Sequence, residues 1–345
     1  MEDRKKNVKP IPNLFVPVYQ NRNLNSLAYI TSKTFAGINK QEYINSNGLI
    51  PIEKNYTKFY FNPAYIAVSY RTQQLLMFYI ERFTHDVPHG ATKEVALEYK
   101  IIKFTVAELA REFNLTPKQA RTMAIECSLS LQSMVVKWED KRNGKNMLHT
   151  TNILQGFDYY EKDVINPSVK RGEMKVTFAD KFAEILPNLY IMWYPTVLRK
   201  ISPKLYSSAH AFGIQISEHF NFRFGTKDEN RIKVSLLLDA TKDIPEYEKV
   251  HKNRAVQFGK RIFEPFKRNM DALVRVGFLK EWDLEYETEI IPRDLYKGMR
   301  YKKFYACIVN FEINNFPREK KEQSLARVTK RKIASKGTYV NGSDR

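Results

Sequence analysis

The sequence predicts an α+β chain in which one plan is used twice: a helix-turn-helix followed by a β-hairpin, in two tandem, pseudo-symmetric units. Three observations predict it. The stretch TVAELAREFNLTPKQARTMA, from Thr105 to Ala124, holds two capped helix starts separated by a short turn. Asn143-Gly144 lies between two β-rich runs, and this dipeptide supplies the two positive φ angles of a tight hairpin turn. The order then recurs downstream, where Leu279-Lys280-Glu281-Trp282-Asp283 has the texture of Val136-Lys137-Trp138-Glu139-Asp140.

Residues 1–67 are polar, rich in Asn and Tyr, and are expected to be irregular or extended. The first unit spans 68–190. It opens with YRTQQLLMFYIERF, where Leu76, Ile80 and Phe83 have helical spacing and predict a core helix. Val106, Leu109, Ala110 and Phe113 fall at i, i+3, i+4 and i+7, the apolar face of a helix started by a Thr105/Glu108 capping box. Asn114-Leu115 makes the turn, because Asn tolerates the left-handed conformation that often ends a helix. Thr116-Pro117-Lys118-Gln119 starts the next helix with a hydroxyl cap, Pro at the first helical position and Gln reaching back. Its apolar face continues through Cys127 and Leu131. MVVKWEDKRNGKNMLHTTNILQGF then predicts a wing whose tip is crowded by Lys141, Arg142 and Lys145. EMKVTF, from Glu173 to Phe178, is a further strand, and FADKFAEIL a short helix. Three helices followed by a basic-tipped hairpin are the outline of a winged helix.

The second unit, 191–316, repeats this outline. Ser202-Pro203 is expected to start a helix through LYSSAHAFGIQISEHF, and Ile232 to Leu238 a strand entering a short helix. In NRAVQFGKRIFEPFKRNMDALVRVGF, Ala255, Phe258, Ile262, Phe266, Met270 and Leu273 share one face, and Pro265 should bend or interrupt the helix. FLKEWDLEYE and KKFYACIVNFEI predict two strands around a long loop containing Arg293, Lys297 and Arg300. Residues 317–345 are basic and poor in large apolar side chains, which predicts a mobile tail.

Composition narrows the partner. Of 345 residues, 57 are Lys or Arg and 38 Asp or Glu, a net charge of +19, and such a field concentrates polyanions. Hydrophobic residues make up 43%, enough to build real cores. No apolar run approaches the ~18 residues of a membrane span, and the charged N-terminus MEDRKKNVKPIPN lacks a signal core. Two cysteines, Cys127 and Cys307, make no disulfide framework and fit a reducing cytoplasm.

A basic helix-turn-helix chain addresses double-stranded DNA through the major groove, which admits one helix whose N-terminal turns reach base edges. With Ala120, Met123, Ala124 and Cys127 docked on the core, Lys118, Gln119, Thr122 and Glu126 point outward and Arg121 lies at the flank. Gln119 suits adenine but is also a partner in its own cap. Arg254, Gln257, Lys260, Arg261, Lys267 and Arg268 occupy the polar side and flanks of the second unit's long helix. Most other basic residues are expected on phosphate, which gives register and affinity without sequence reading.

The order FTVAELAREFNLTPKQAR, a wing, MKVTFADKFAEIL, KLYSSAHAFGIQISEHF and KRIFEPFKRNMDAL resembles the theta-type plasmid replication initiators that bind iterons, from about Tyr70 to Asn310. The resemblance implies two winged helices gripping successive major grooves on one DNA face, with Arg254, Gln257, Lys260, Arg261 and Arg268 binding in the second unit and Lys118, Arg121 and Thr122 in the first. It implies directly repeated origin sites as the ligand, a host initiator and replicative helicase as partners, and a homodimer through the first unit that represses its own promoter. The Asn-rich N-terminal region and the long loop between the last two strands depart from the family's pattern.

No cofactor is expected and no catalytic role. There is no His-x-His for a rolling-circle initiator and no GxxxxGK[ST] for a helicase. His85, Asp86 and His89 form a loose trio read as surface residues rather than metal ligands. His251-Lys252-Asn253-Arg254, with Trp282 and Tyr286 downstream, matches the His-x-x-Arg of tyrosine recombinases, but the first catalytic Arg is missing. A winged-helix transcriptional regulator without origin function is the alternative reading.

Overall fold

The computed structural model describes residues 15–20, 38–54, 57–63, 70–142, 145–160, 172–202, 204–246, 250, 258–293, 299–319 and 321–322. Ahead of the first unit lie β1 (Phe15–Gln20), α1 (Lys40–Asn45), β2 (Ile50–Lys54) and β3 (Thr57–Phe61). The first unit contains α2 (Tyr70–Asp86), α3 (Lys93–Glu98), β4 (Ile101–Thr105), α4 (Val106–Phe113), α5 (Pro117–Ser133), β5 (Val135–Arg142), β6 (Lys145–Asn152), β7 (Leu154–Tyr160), β8 (Glu173–Phe178) and α6 (Asp180–Ile185). After β9 (Tyr190–Pro195) come α7 (Ala209–Arg223), β10 (Arg231–Lys233) and α8 (Val234–Asp239). A π turn (Gly259–Phe263) then runs into α9 (Glu264–Arg275), followed by β11 (Leu279–Tyr286), β12 (Glu289–Ile290), α10 (Tyr301–Ala306) and β13 (Ile308–Ile313).

The duplication is one of topology. The first unit's three-stranded sheet has the order β4-β8-β7, and the second has β10-β13-β11-β12. In each, the strand entering the helix-turn-helix pairs antiparallel with the unit's last strand, which is central. Alternation explains the packing: Ile102 and Phe104 on β4, and Met174, Val176 and Phe178 on β8, all turn inward. α2 crosses beneath, and its fully buried Phe78 lies 5.4 Å from the Phe104 ring and 6.0 Å from Phe113. Each such ring contributes about 1.5–3 kcal/mol by leaving water.

Local caps form as their sequences require. Asn114 ends α4 in the left-handed conformation, φ 51° and ψ 53°. The Thr116 hydroxyl accepts from the Gln119 N–H at 3.3 Å, while Gln119 Oε1 accepts from the Thr116 N–H at 3.0 Å, a complete capping box. At α4 the box is half made. Thr105 Oγ1 accepts from the Glu108 N–H at 3.2 Å, but the Glu108 carboxylate pairs with Arg82 of α2 instead of reaching back. Pro265 leaves its mark as the π turn: its ring would clash with the carbonyl four residues earlier, and the wider turn over 259–263 relieves that.

Four expectations need correction. The strands flanking Asn143-Gly144, which itself lies outside the described residues, pair antiparallel as β5–β6 with Arg142 opposite Lys145, but they belong to a separate four-stranded sheet, β2-β3-β5-β6. The first unit's wing is β7–β8, since those strands complete its sheet; turn chemistry specifies a hairpin but not which sheet receives it. Residues 1–67, expected to be irregular, supply three strands, and β1 pairs with β9 more than 150 residues away, from Phe15↔Pro195 to Gln20↔Tyr190. Such partners cannot be seen locally. KKFYA is the helix α10 because Tyr301, Phe304 and Tyr305 have helical spacing and Phe304 is fully buried; the strand begins at Ile308. α7 starts at Ala209, not Ser202, because the Ser202 carbonyl accepts from the Leu205 and Tyr206 N–H groups and the Ser208 N–H donates to Asn269 Oδ1 at 3.1 Å. Of the tail, Lys320 and residues 323–345 lie outside the described residues. Arg318 pairs with Glu229 and lies over Phe220 and Phe224, and Lys321 is buried against Asn221.

Candidate nucleic-acid interface

In the first unit, α5 rests on the core through Ala120, Met123, Ala124, Cys127 and Leu131 and is anchored by the buried Tyr79–Ser128 hydroxyl bond at 2.8 Å. That orientation leaves Lys118, Gln119, Thr122 and Glu126 exposed, and Arg121 half-buried at the flank. Lys118 is a cation near the helix start, and Thr122 stands one turn on. The capping box engages the Gln119 carbonyl oxygen, which accepts from the Thr116 N–H at 3.0 Å.

In the second unit, Arg254 and Gln257 lie outside the described residues. Lys260 and Arg261 are exposed on the π turn, and Lys267 and Arg268 are exposed on α9. Lys267 spends part of its charge on Asp271, 2.7 Å away and one turn on. Lys260, Arg261 and Arg268 make no ion pair among the described residues. The opposite face is held by Ile262, Phe263, Phe266, Met270 and Leu273, all buried. α10 packs on the head of this segment, with Phe258 5.7 Å from Tyr301 and 5.6 Å from Phe304, and adds the exposed cations Arg300 and Lys302. Lys302 was not foreseen; the i, i+3 aromatic pair Tyr301 and Phe304 was the available signal.

The remaining basic residues behave differently. Lys141, Arg142 and Lys145 sit beside the turn of β5–β6, which is not the wing of either sheet. The second wing, β11–β12, ends on exposed Glu287, Thr288 and Glu289, a tip that repels phosphate. Arg293 is tied back, its Nε donating to Asp283 at 3.0 Å and Nη2 to the Trp282 carbonyl at 2.8 Å. Lys297 and the His251–Arg254 motif lie outside the described residues. Trp282 is a core residue whose Nε1–H donates to Asp271 at 3.0 Å.

Among the described residues no group of three His, Cys, Asp or Glu could hold a metal. His85 and Asp86 form an exposed pair at 2.8 Å, and His89 bonds the Leu189 carbonyl at 3.0 Å. Cys127 and Cys307 are free and buried, and burial pushes both thiols up to about 11, so both are inert packing groups. No helix among the described residues is long and apolar enough to cross a membrane.

No protein-family model matches the sequence, and no curated protein does. Among solved structures, the chain is similar to Pi initiator protein in complex with iteron DNA, with a TM-score of 0.50 and 10% identity over 88% of this chain and 98% of that one. It also matches domains 2 and 3 of RctB, with a TM-score of 0.40 and 9% identity over 82% of this chain and 99% of that one. The likeness to Pi is one of fold. The chain is thus an α+β protein of tandem winged helices, with a fold shared with a solved initiator protein.

Proposed function

We propose that the protein is a non-enzymatic, sequence-specific double-stranded DNA binder that initiates plasmid replication at directly repeated origin sites. One observation carries this: two units of the same topology each present a helix whose apolar face is docked and whose exposed side carries basic residues, Lys118 on α5 and Lys260, Arg261 and Arg268 on the second, in a chain of net charge +19. The complex of Pi with iteron DNA supports the same ligand. In this reading the head of each helix enters a major groove, with Lys118 and Thr122 in the first unit and Lys260 and Arg261 in the second reaching base edges. Arg121, Lys267 and Arg268 then serve phosphate, as do Arg254 and Gln257 if the second helix continues to them. Several bound copies strain the adjacent A·T-rich duplex, binding energy offsetting the cost of deformation, and the assembly recruits the host initiator and helicase. A homodimer through the first unit would repress the chain's own promoter.

A footprint on the DNA flanking the gene tests the ligand, and maintenance of an otherwise non-replicating plasmid by the gene plus those repeats tests the origin role. Protected direct repeats that sustain the plasmid are the expected result. Protection without plasmid maintenance would leave a transcriptional regulator. If the units together contact ~8 phosphates, log affinity falls with log salt at a slope of about −7, and a slope near zero would overturn DNA binding altogether.

A further inference from the structure

We propose that Arg199 fixes the separation of the two recognition helices and so makes the protein selective for the spacing between the two contacts within each DNA site. The inference rests on the DNA-binding reading above.

Arg199 lies in the short 3-10 turn Thr196–Lys200 that follows β9 at the start of the second unit, yet it is only 1% exposed. Its Nη2 bonds the Glu81 carboxylate on α2, and Nη1 lies 3.7 Å from Glu112 on α4, the first helix of the helix-turn-helix. The guanidinium is stacked between rings, 5.3 Å from Phe78 and 5.2 Å from Tyr194. The turn's backbone is held as well: the Arg199 carbonyl accepts from Arg71 Nη1 at 3.0 Å and the Leu198 carbonyl from Gln74 Nε2 at 2.8 Å. All of these partners but Tyr194 belong to the first unit's helices.

The other side of the turn meets the second unit. Leu198 sits on Gly213 of α7 so closely that a Cβ there would lie 2.5 Å from Leu198 Cδ2. The turn is therefore gripped from both sides. Two more fasteners cross the same joint. Tyr70 on α2 bonds Thr241 at 2.9 Å and Asp243 at 2.8 Å, beyond α8. β1 bonds Thr84 and Val87 through Tyr19 at 3.1 and 2.7 Å and lays Phe15 against Phe278 and Phe316.

A buried guanidinium with carboxylates is not the cheapest way to stabilise a connection, since apolar packing of equal volume often does as well. What a directional ion pair adds is a unique register. Here the register lies between the helix-turn-helix holding α5 and the helix against which α9 packs, so the two reading helices meet DNA as one ruler. Inserting one base pair between their contacts displaces one from the other by about 3.4 Å and about 34°, more than such a ruler tolerates.

Once the footprint defines the site, the test uses duplexes of native spacing and duplexes with one base pair added or removed between the halves protected by the two units. The full chain is expected to lose roughly 10- to 100-fold in affinity on the altered spacings. Arg199→Met and the milder Glu112→Gln should bind the native site less well but reduce that penalty to a few-fold. A general loss of stability would lower all affinities and leave the ratio unchanged, so the ratio isolates positioning. Folded variants, by circular dichroism, that keep the full wild-type ratio would overturn the inference, as would a wild-type chain indifferent to spacing. No footprint at all would overturn the functional reading and this one together.

Discussion

The two candidate recognition helices have the same place in the same topology, but they are built by different forces. α5 carries its instructions locally: Thr116 caps it, Pro117 starts it and Gln119 closes the box. Among its described residues the second helix shows a π turn at 259–263 in place of a regular α turn, no side-chain cap at Phe258 or Phe263, and Pro265 inside it. Its head is instead clamped by an aromatic group, Phe258, Phe263, Phe266, Tyr301 and Phe304, with ring separations of 5.1–6.5 Å. The two units thus share a strand order while their helices are fixed by different means. The first helix should be sensitive to its cap and the second to its distant packing partners.

The largest effect expected is at Phe266, fully buried and 5.4 Å from Phe212, 6.0 Å from Trp282 and 5.1 Å from Phe304. Phe266→Ala should cost about 3–5 kcal/mol in chemical denaturation, because the rings around it cannot collapse to fill the space.

Acid should divide the units next. His210 on α7 is fully buried with no partner for either ring nitrogen among the described residues, and desolvation, then Arg71 and Arg199, lower its pKa from 6.5 to about 3. It is neutral in the folded protein. Between pH 6.5 and about 3 the unfolded chain binds a proton that the folded chain refuses, so stability falls as pH falls through this window. The loss is about 1.4 kcal/mol per pH unit, or about 2 kcal/mol at pH 5. Urea midpoints at pH 7 and pH 5 should show it, and His210→Gln should flatten the dependence. An unchanged slope in that variant would assign the acid sensitivity elsewhere.

DNA binding sharpens the contrast on the functional side. Arg261→Ala should weaken specific binding by about 1–3 kcal/mol if the guanidinium reads a guanine. An equal loss on random DNA would move it to phosphate. The smallest effect is expected at Thr116→Ala, about 1 kcal/mol from the lost cap. If thermal melts put this loss level with that of Phe266→Ala, the distinction between a locally fixed and a remotely fixed helix is gone.

Much of the candidate site was legible because its signals are local. The α4 and α5 faces, the Asn114 turn, the Thr116 box and the outward Lys118 and Thr122 follow from spacing and capping chemistry within a twenty-residue window. In the second unit, periodicity placed Ile262, Phe266, Met270 and Leu273 in the core and thereby Lys260, Arg261 and Arg268 outside. The wing was misplaced because Asn143-Gly144 is as good a turn in one sheet as in another. Glu108 left its cap for Arg82 because a partner 26 residues away offers a charge and the box offers only an N–H.

The amino-acid order by itself determined the helix-turn-helix, the repeated plan, the core faces and the basic character, since each depends on neighbours within one or two turns or on composition. Only the tertiary structure decided that β1 closes onto β9, that β7–β8 is the first wing, and that Arg199 is buried at the joint. Strand partners and buried ion pairs join residues whose sequence separation exceeds any periodicity. Which of several compatible partners is taken depends on the total apolar area and the polar groups left satisfied when the whole chain closes.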